Sequence, residues 1–120
     1  MATATVKHAY EAMRDMRWTP KEKAIARRAF DLALQREFDD VIAKTKEIAE
    51  HIKSPEQLWK LESYLTTTRK EIDQKYEYRY SILPQVFGML LREEWLKEEE
   101  LAGLNEDKIE CARMWAKALK

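Results

Sequence analysis

The chain has 120 residues, enough for one domain, and its 22 lysines and arginines balance its 22 aspartates and glutamates. Zero net charge argues against a general nucleic-acid binder and against a protein held on anionic lipid by charge alone. The composition favours helices, because the chain has only two glycines and three prolines and 37% of its residues are charged. We expect a cytoplasmic location, because the chain has a single cysteine, no membrane-length apolar run and no signal-peptide layout.

The chain opens with a segment of weak helical character. Val6, Tyr10 and Met13 have helical spacing, but the segment is short and lacks strong caps. Such a helix is marginal in isolation. We therefore expect residues 1–18 to form a flexible N-terminal extension and residues 19–120 to form a single helical domain.

Two long helices should follow, each opened by the same capping motif. The segments 19–22 and 54–57 both place a hydroxyl at the cap, a proline at the first helical position and a glutamate or glutamine three residues after the cap. Apolar residues then recur every three or four positions over 20–52 and from 55 into the high seventies. Because only Lys53 and the second cap separate them, the two helices should form a hairpin.

Shorter helices are expected towards the C-terminus. Tyr76, Tyr78 and Tyr80 alternate with polar residues as in a strand, but no partner strand is apparent and we favour helix. Pro84 suits the first turn of a third helix, and Asn105 can cap a last one after the break at Gly103. The acidic run 98–100 is most simply a solvated helix start.

The length of the hairpin predicts self-association. A helix of about 33 residues is roughly 50 Å long, whereas a compact chain of this size has a radius of gyration of about 14 Å. The apolar stripes therefore need more cover than one chain supplies. We expect an all-α fold, an elongated hairpin of two long helices plus shorter C-terminal helices, which forms a dimeric helical bundle by antiparallel pairing of hairpins.

The sequence contains no clear catalytic or metal-binding pattern. Two glycines cannot build a phosphate-binding loop or a dinucleotide fingerprint. His8 and His51 are the only histidines, and the carboxylates near His51 lack the spacing of a di-iron site. Cys111 has no adjacent base and is most simply a packing residue. We expect no enzyme activity, no cofactor and no metal.

One set of residues on the second long helix has the composition of a binding site. Its members fall at i, i+3, i+7, i+10 and i+14 and so share a face beside the leucine stripe; they are Trp59, Glu62, Thr66, Arg69 and Asp73. A tryptophan and an arginine on a polar face are typical of an interaction hot spot. The simpler alternative places Trp59 under the first helix or in the dimer seam, with Arg69 paired to Asp73 across one turn.

The same region carries a family resemblance. The motifs run in order through most of the chain: Phe30, Arg36-Glu37, Leu58-Trp59-Lys60-Leu61, Tyr64-Leu65, Arg69, Glu71-Ile72-Asp73, Lys75-Tyr76, Arg79, Val86-Phe87, Trp95-Leu96, Glu100-Leu101, Gly103-Leu104 and Asp107-Lys108. Together they resemble the cyanobacterial fluorescence recovery proteins from about residue 18 to the end. Several motifs in one order are far more specific than any single one.

The resemblance implies a function. Members of this family are helical homodimers without catalytic chemistry. They bind the photoactivated, red form of the orange carotenoid protein, mainly through its C-terminal domain, and speed its return to the orange form. Release from the phycobilisome then ends non-photochemical quenching. By this resemblance the family's important tryptophan and arginine fall on Trp59 and Arg69, and the partner would hold the chain at the periphery of the thylakoid membrane.

One departure from the family pattern leaves an alternative open. The family usually has His-Asp where this chain has Glu62 and Ser63, so the negative charge moves by one residue, about 100° around the helix. Both positions lie on or beside the proposed contact face, and we include Ser63 among the partner-binding residues. The alternative is a divergent homologue that acts as a dimeric interaction module for a different partner.

Overall fold

The computed structural model describes the backbone of residues 2–118 and the side chains of residues 7–118. It contains five α-helices and one 3-10 turn: α1 (Ala2–Asp15), α2 (Pro20–Glu50), α3 (Pro55–Lys75), α4 (Leu83–Arg92), the 3-10 turn Glu98–Leu101, and α5 (Glu106–Ala118). No β-strand occurs within the described residues. The predicted all-α class, with two long helices followed by shorter ones, is confirmed.

Both predicted helix starts are confirmed by their capping hydrogen bonds. The Thr19 hydroxyl accepts a bond from the Glu22 backbone N–H (3.1 Å), and the Glu22 side chain accepts one from the Thr19 N–H (3.0 Å), which is a complete capping box. At α3 the Ser54 hydroxyl accepts from the Gln57 N–H at 3.3 Å. These bonds satisfy backbone donors that a helix start leaves without partners.

The two long helices form an arm that projects from a more compact head. Beyond Glu37 no residue of α2 is buried, and α3 buries only Ile72. We call residues 38–71 the arm, and the remaining described residues the head. The molecule is 53 Å long with a radius of gyration of 17.2 Å, well above the value of about 14 Å for a compact chain. The predicted elongated hairpin is therefore confirmed, while dimer formation stays a prediction.

The head is built where α4 crosses α5. Gly88 allows this crossing, because an added Cβ would lie 2.6 Å from the Trp115 Cβ and 2.7 Å from the Ala112 carbonyl oxygen. Small residues of α2 complete the core against α4 and the 3-10 turn; the buried apolar set includes Ala26, Ala29, Phe30, Ala33, Leu83, Phe87, Leu90, Leu96 and Leu101. The first half of α2 is thus held in the head, and its second half carries the arm outwards.

The helix expected through the tyrosine segment is wrong. Helix α3 ends at Lys75, residues 76–79 have no regular structure, and a turn leads into α4. The Tyr76 and Tyr78 rings meet Phe30 edge-on, with centroids 5.5 and 5.0 Å apart. Backbone bonds from the Glu77 N–H to the Lys75 carbonyl and from the Arg79 N–H to the Glu77 carbonyl close two tight turns here. Packing of the two rings on α2 outweighs continuation of the helix.

The N-terminal segment forms a helix that touches the head. In α1 the Met13 side chain is fully buried, and the Tyr10 ring lies 5.4 Å from the Trp115 ring. Val6, the other apolar residue of the predicted helical pattern, has a side chain outside the described part of the structure. Two expectations stay predictions: the flexibility of residues 1–18, and the single domain formed by residues 19–120.

Candidate functional site

The predicted binding residues lie on the solvent-facing side of α3, and all of them except Asp73 are in the arm. The Trp59 residue is 62% exposed, so the alternative that places it under the first long helix is wrong. Glu62, Ser63 and Thr66 are also exposed. The Arg69 and Asp73 side chains are 86% and 71% exposed.

Two pairs of side chains order this face. The Thr66 hydroxyl donates to the Glu62 carboxylate at 3.1 Å, and the Arg69 guanidinium lies 3.9 Å from the Asp73 carboxylate. Both pairs span one helical turn, and exposed pairs of this kind contribute only about 0.3–0.5 kcal/mol. Such weak contacts leave these groups free to exchange an internal partner for an external one.

Exposed apolar side chains border the polar face. Leu58 and Leu65 of α3 belong to them, and so do Phe38 and Ile42 of α2, of which Ile42 is the most exposed at 51%. Both helices of the arm therefore present apolar surface to solvent in a single chain. Exposed apolar side chains that adjoin one another mark interaction sites, so these four are candidates for such a site.

A charged cluster of the head lies at the base of the arm. The Lys75 ammonium lies 2.7 Å from Glu37 of α2 and 2.6 Å from Glu93, just after α4, while its side chain is 9% exposed. The Tyr76 hydroxyl donates to Glu37 at 2.9 Å. Burial, with the Glu37 carboxylate, raises the pKa of Tyr76 above its ordinary value. This cluster fixes the direction of the arm and so positions the exposed face relative to the head.

A second charged contact ties α2 to the 3-10 turn. The Arg36 guanidinium makes two bonds of 2.7 Å to Glu100 and a third, of 3.1 Å, to the Trp95 carbonyl. The bond from Arg36 holds the pKa of the Glu100 carboxyl below its usual range. The solvated helix start expected at residues 98–100 is therefore wrong for Glu100, whose carboxylate is bound in a bidentate pair.

A third contact, between Glu22 and Lys108, is the most buried. The Lys108 ammonium lies 3.0 Å from the Glu22 carboxylate, with side chains 3% and 8% exposed. The Asn105 N–H donates to the same carboxylate at 2.9 Å. Burial opposes ionisation of Glu22, but the bonds from Asn105, Thr19 and Lys108 prevail and lower its pKa to about 2.

The described residues offer no assembled catalytic chemistry. Within residues 2–118 no group of three or more metal-ligating side chains comes together. Burial raises the pKa of the Cys111 thiol, which disfavours the reactive thiolate. In the same part of the chain, no helix has the length and apolar character needed to cross a bilayer. The described residues thus define an all-helical protein with an arm whose polar and apolar side chains are exposed in the single chain.

Comparison with known proteins specifies the family. Residues 18–116 match the family described as photoprotection regulator fluorescence recovery protein. The fluorescence recovery protein of Synechocystis sp. PCC 6803 is 40% identical over 91 residues, which cover 76% of this chain and 84% of that protein. The solved structures of the Fremyella diplosiphon and Synechocystis proteins share 36% and 37% identity, each with a TM-score of 0.82 over 84% of this chain and 99% of theirs.

The chain belongs to the fluorescence recovery protein family. The description of this family is that of a photoprotection regulator. The resemblance inferred from the sequence is confirmed.

Proposed function

We propose that this protein binds the photoactivated orange carotenoid protein through the outer face of α3 and accelerates its return to the orange form. That step ends non-photochemical quenching of the phycobilisome. The observation that carries the proposal is the exposed Trp59 beside the Arg69–Asp73 pair, on the arm of a chain that belongs to the fluorescence recovery protein family. The protein acts as a cytoplasmic, non-enzymatic regulator that reaches the thylakoid periphery through its partner.

Differential binding supplies the mechanism. A protein speeds a conformational relaxation only if it binds the transition state, or a state that resembles it, more tightly than the starting state. The arm presents one large aromatic side chain and one ion pair at fixed positions. A partner surface that forms only as the carotenoid protein closes would then gain contacts with Trp59 and Arg69 that the open form lacks.

The active unit is a homodimer formed through the arms. Phe38, Ile42, Leu58 and Leu65 support this proposal because all four are large, apolar and exposed in the single chain. In a two-fold dimer each of these residues is buried in both protomers. The resulting bundle has the apolar core that an isolated hairpin lacks. The polar face of α3 lies beside this apolar strip.

Binding titrations test the contact face. Photoactivated carotenoid protein is titrated with wild type, Trp59→Ala, Arg69→Leu and the control Lys60→Leu. Lys60 is a matched control because it also pairs one turn away, with Glu56 at 3.6 Å, and lies nine residues, or about 180°, from Arg69 around the helix. We expect the two face variants to weaken binding at least tenfold with helicity and oligomeric state unchanged, and Lys60→Leu to bind as wild type. If the face variants lose the dimer instead, Trp59 and Arg69 are structural.

The alternative is an interaction module for a different partner, favoured by Glu62 and Ser63 in place of the family's usual His-Asp. It requires that the wild-type chain leave relaxation of the carotenoid protein unchanged. The double variant Glu62→His, Ser63→Asp should then gain activity. A double variant as inactive as wild type would show that these two positions do not determine the partner.

A further inference from the structure

On the proposed contact face of α3, the Glu62 carboxylate has no counter-charge within the chain. Asp73, the other carboxylate of this face, has the Arg69 guanidinium 3.9 Å away. Glu62 is exposed and belongs to no ion pair among the described residues. The face therefore carries one negative charge that nothing on it balances.

The sequence around Glu62 explains why this charge stays unbalanced. On a helix the neighbours of a side chain lie three and four residues away. For Glu62 these neighbours are Leu58, Trp59, Leu65 and Thr66. None of the four is a cation, and three of them are large and apolar. On its own helix the Glu62 carboxylate is thus surrounded mainly by apolar side chains.

Thr66 orients the Glu62 carboxylate. The Thr66 hydroxyl donates to Oε2 of Glu62 at 3.1 Å, across one turn of the helix. Because Thr66 is β-branched, its own side chain has few rotamers on a helix, and the direction of this bond is restricted. The other oxygen, Oε1, accepts no hydrogen bond among the described residues. That oxygen is available to a donor from outside the chain.

A partner that covers Trp59 also covers Glu62. The Trp59 residue is 62% exposed and is the aromatic anchor of the proposed contact. Side chains three residues apart on a helix have Cβ atoms about 5–6 Å apart, so a protein surface that buries the indole also removes water from the Glu62 carboxylate.

The counter-charge for a covered Glu62 has to come from the partner. A carboxylate that loses its water without gaining a counter-charge opposes binding. Arg69 cannot supply that charge, because it lies seven residues from Glu62, about 10 Å along the helix axis, and is paired with Asp73. Tight binding at this face therefore requires a cation on the opposite surface.

We propose that the partner surface carries an arginine or lysine that pairs with Glu62, and that Thr66 is a positioning residue that holds the Glu62 carboxylate for this contact. The inference rests on the proposed function, since it takes the outer face of α3 as the contact surface. It adds the sign of the charge that the partner presents opposite Glu62. A neutral or acidic group there would leave the carboxylate covered and unpaired, so Glu62 selects among partners.

The direction of the change in affinity caused by Glu62→Gln tests the pairing. Photoactivated orange carotenoid protein is titrated with wild type, Glu62→Gln and the matched control Glu71→Gln, in about 50 mM and about 300 mM salt. Glu71 is also an exposed carboxylate of α3, but it lies nine residues, or about 180°, from Glu62 around the helix. We expect Glu62→Gln to bind at least about tenfold more weakly than wild type at low salt, with a smaller difference at high salt, and Glu71→Gln to bind as wild type.

The other outcomes of this titration each have a distinct meaning. Equal binding by wild type and Glu62→Gln would show that the carboxylate stays hydrated, and tighter binding by Glu62→Gln would show that it is covered without a partner cation. Either result overturns the inference. If wild type itself does not bind, the proposed function fails and the inference fails with it. A changed oligomeric state of Glu62→Gln would place a second copy over the face and would also overturn the inference.

A double-mutant cycle in the same titration tests the positioning role of Thr66. Thr66→Val removes the hydroxyl and keeps the shape of the side chain, so we expect about threefold weaker binding. Thr66→Ser keeps the hydroxyl and should bind as wild type. Added to Glu62→Gln, Thr66→Val should cause no further loss, since both residues act through one contact. Losses that add, or a Thr66→Ser variant as weak as Thr66→Val, would refute this role.

Discussion

Replacing Glu22 with glutamine should reduce the loss in the free energy of unfolding that this protein undergoes as the pH falls. The carboxylate has a pKa of about 2 in the folded chain against an ordinary value of 4.5. Since the folded value is the lower one, its stabilisation is present above pH 4.5 and is lost as the pH falls towards 2. The difference corresponds to at most about 3 kcal/mol at neutral pH, of which about 2 kcal/mol is lost between pH 6 and pH 3.

Urea unfolding of wild type and Glu22→Gln, at matched protein concentration from pH 7 to pH 3, measures this effect. At pH 7 we expect Glu22→Gln to be about 3 kcal/mol less stable, because it leaves the buried Lys108 ammonium without its counter-charge. The two curves should approach each other by about 2 kcal/mol at pH 3. Glu71→Gln, which removes an exposed carboxylate of α3, should follow the wild-type curve. A constant gap between wild type and Glu22→Gln over this range would refute the reasoning.

Three further substitutions test the helix crossing in the head, the charged cluster at the base of the arm, and the apolar surface of the arm. Gly88→Ala should lower the free energy of unfolding by about 3 kcal/mol, because its Cβ would meet backbone oxygen at 2.7 Å; a loss below about 0.5 kcal/mol in thermal unfolding would contradict that close contact. Lys75→Met should cost about 3 kcal/mol in urea unfolding, and adding Glu37→Gln should recover part of it; no recovery would mean that charge is not the cause. Ile42→Glu should weaken self-association at least about 1,000-fold in sedimentation experiments, because a two-fold interface buries the new carboxylate of both protomers. An unchanged dimer would place the interface elsewhere.

The elements that local chemistry determines could be predicted from the sequence. The capping segments at residues 19–22 and 54–57 predict the starts of both long helices, which begin at Pro20 and Pro55. The apolar periodicity then predicts that one chain cannot cover its own hairpin, in agreement with the exposed Phe38, Leu58 and Leu65. The shared side of Trp59 and Arg69 could be predicted from helical spacing, and both residues are exposed. Their role in partner binding stays a prediction.

The contacts that sequence analysis missed are long-range ion pairs. Lys75 bonds to Glu37 across 38 residues, and the Asn105 N–H reaches Glu22 across 83. Nothing in the local pattern distinguishes these charges from the solvated ones around them, since only the assembled head brings the partners together. The tyrosine segment was misassigned for a related reason. Its alternation reflects contact with Phe30 of a distant helix, and tertiary packing outweighs local propensity there.

The dark relaxation of photoactivated orange carotenoid protein, followed by absorbance, tests the central claim most directly. Relaxation is recorded alone and with wild type, Arg69→Leu or the matched control Lys60→Leu, each shown beforehand to be folded and of the same oligomeric state. We expect wild type and Lys60→Leu to accelerate the return to the orange form, and Arg69→Leu to lose at least about 90% of that acceleration. Relaxation that is unchanged by the wild-type protein, or accelerated equally by Arg69→Leu, would contradict the account.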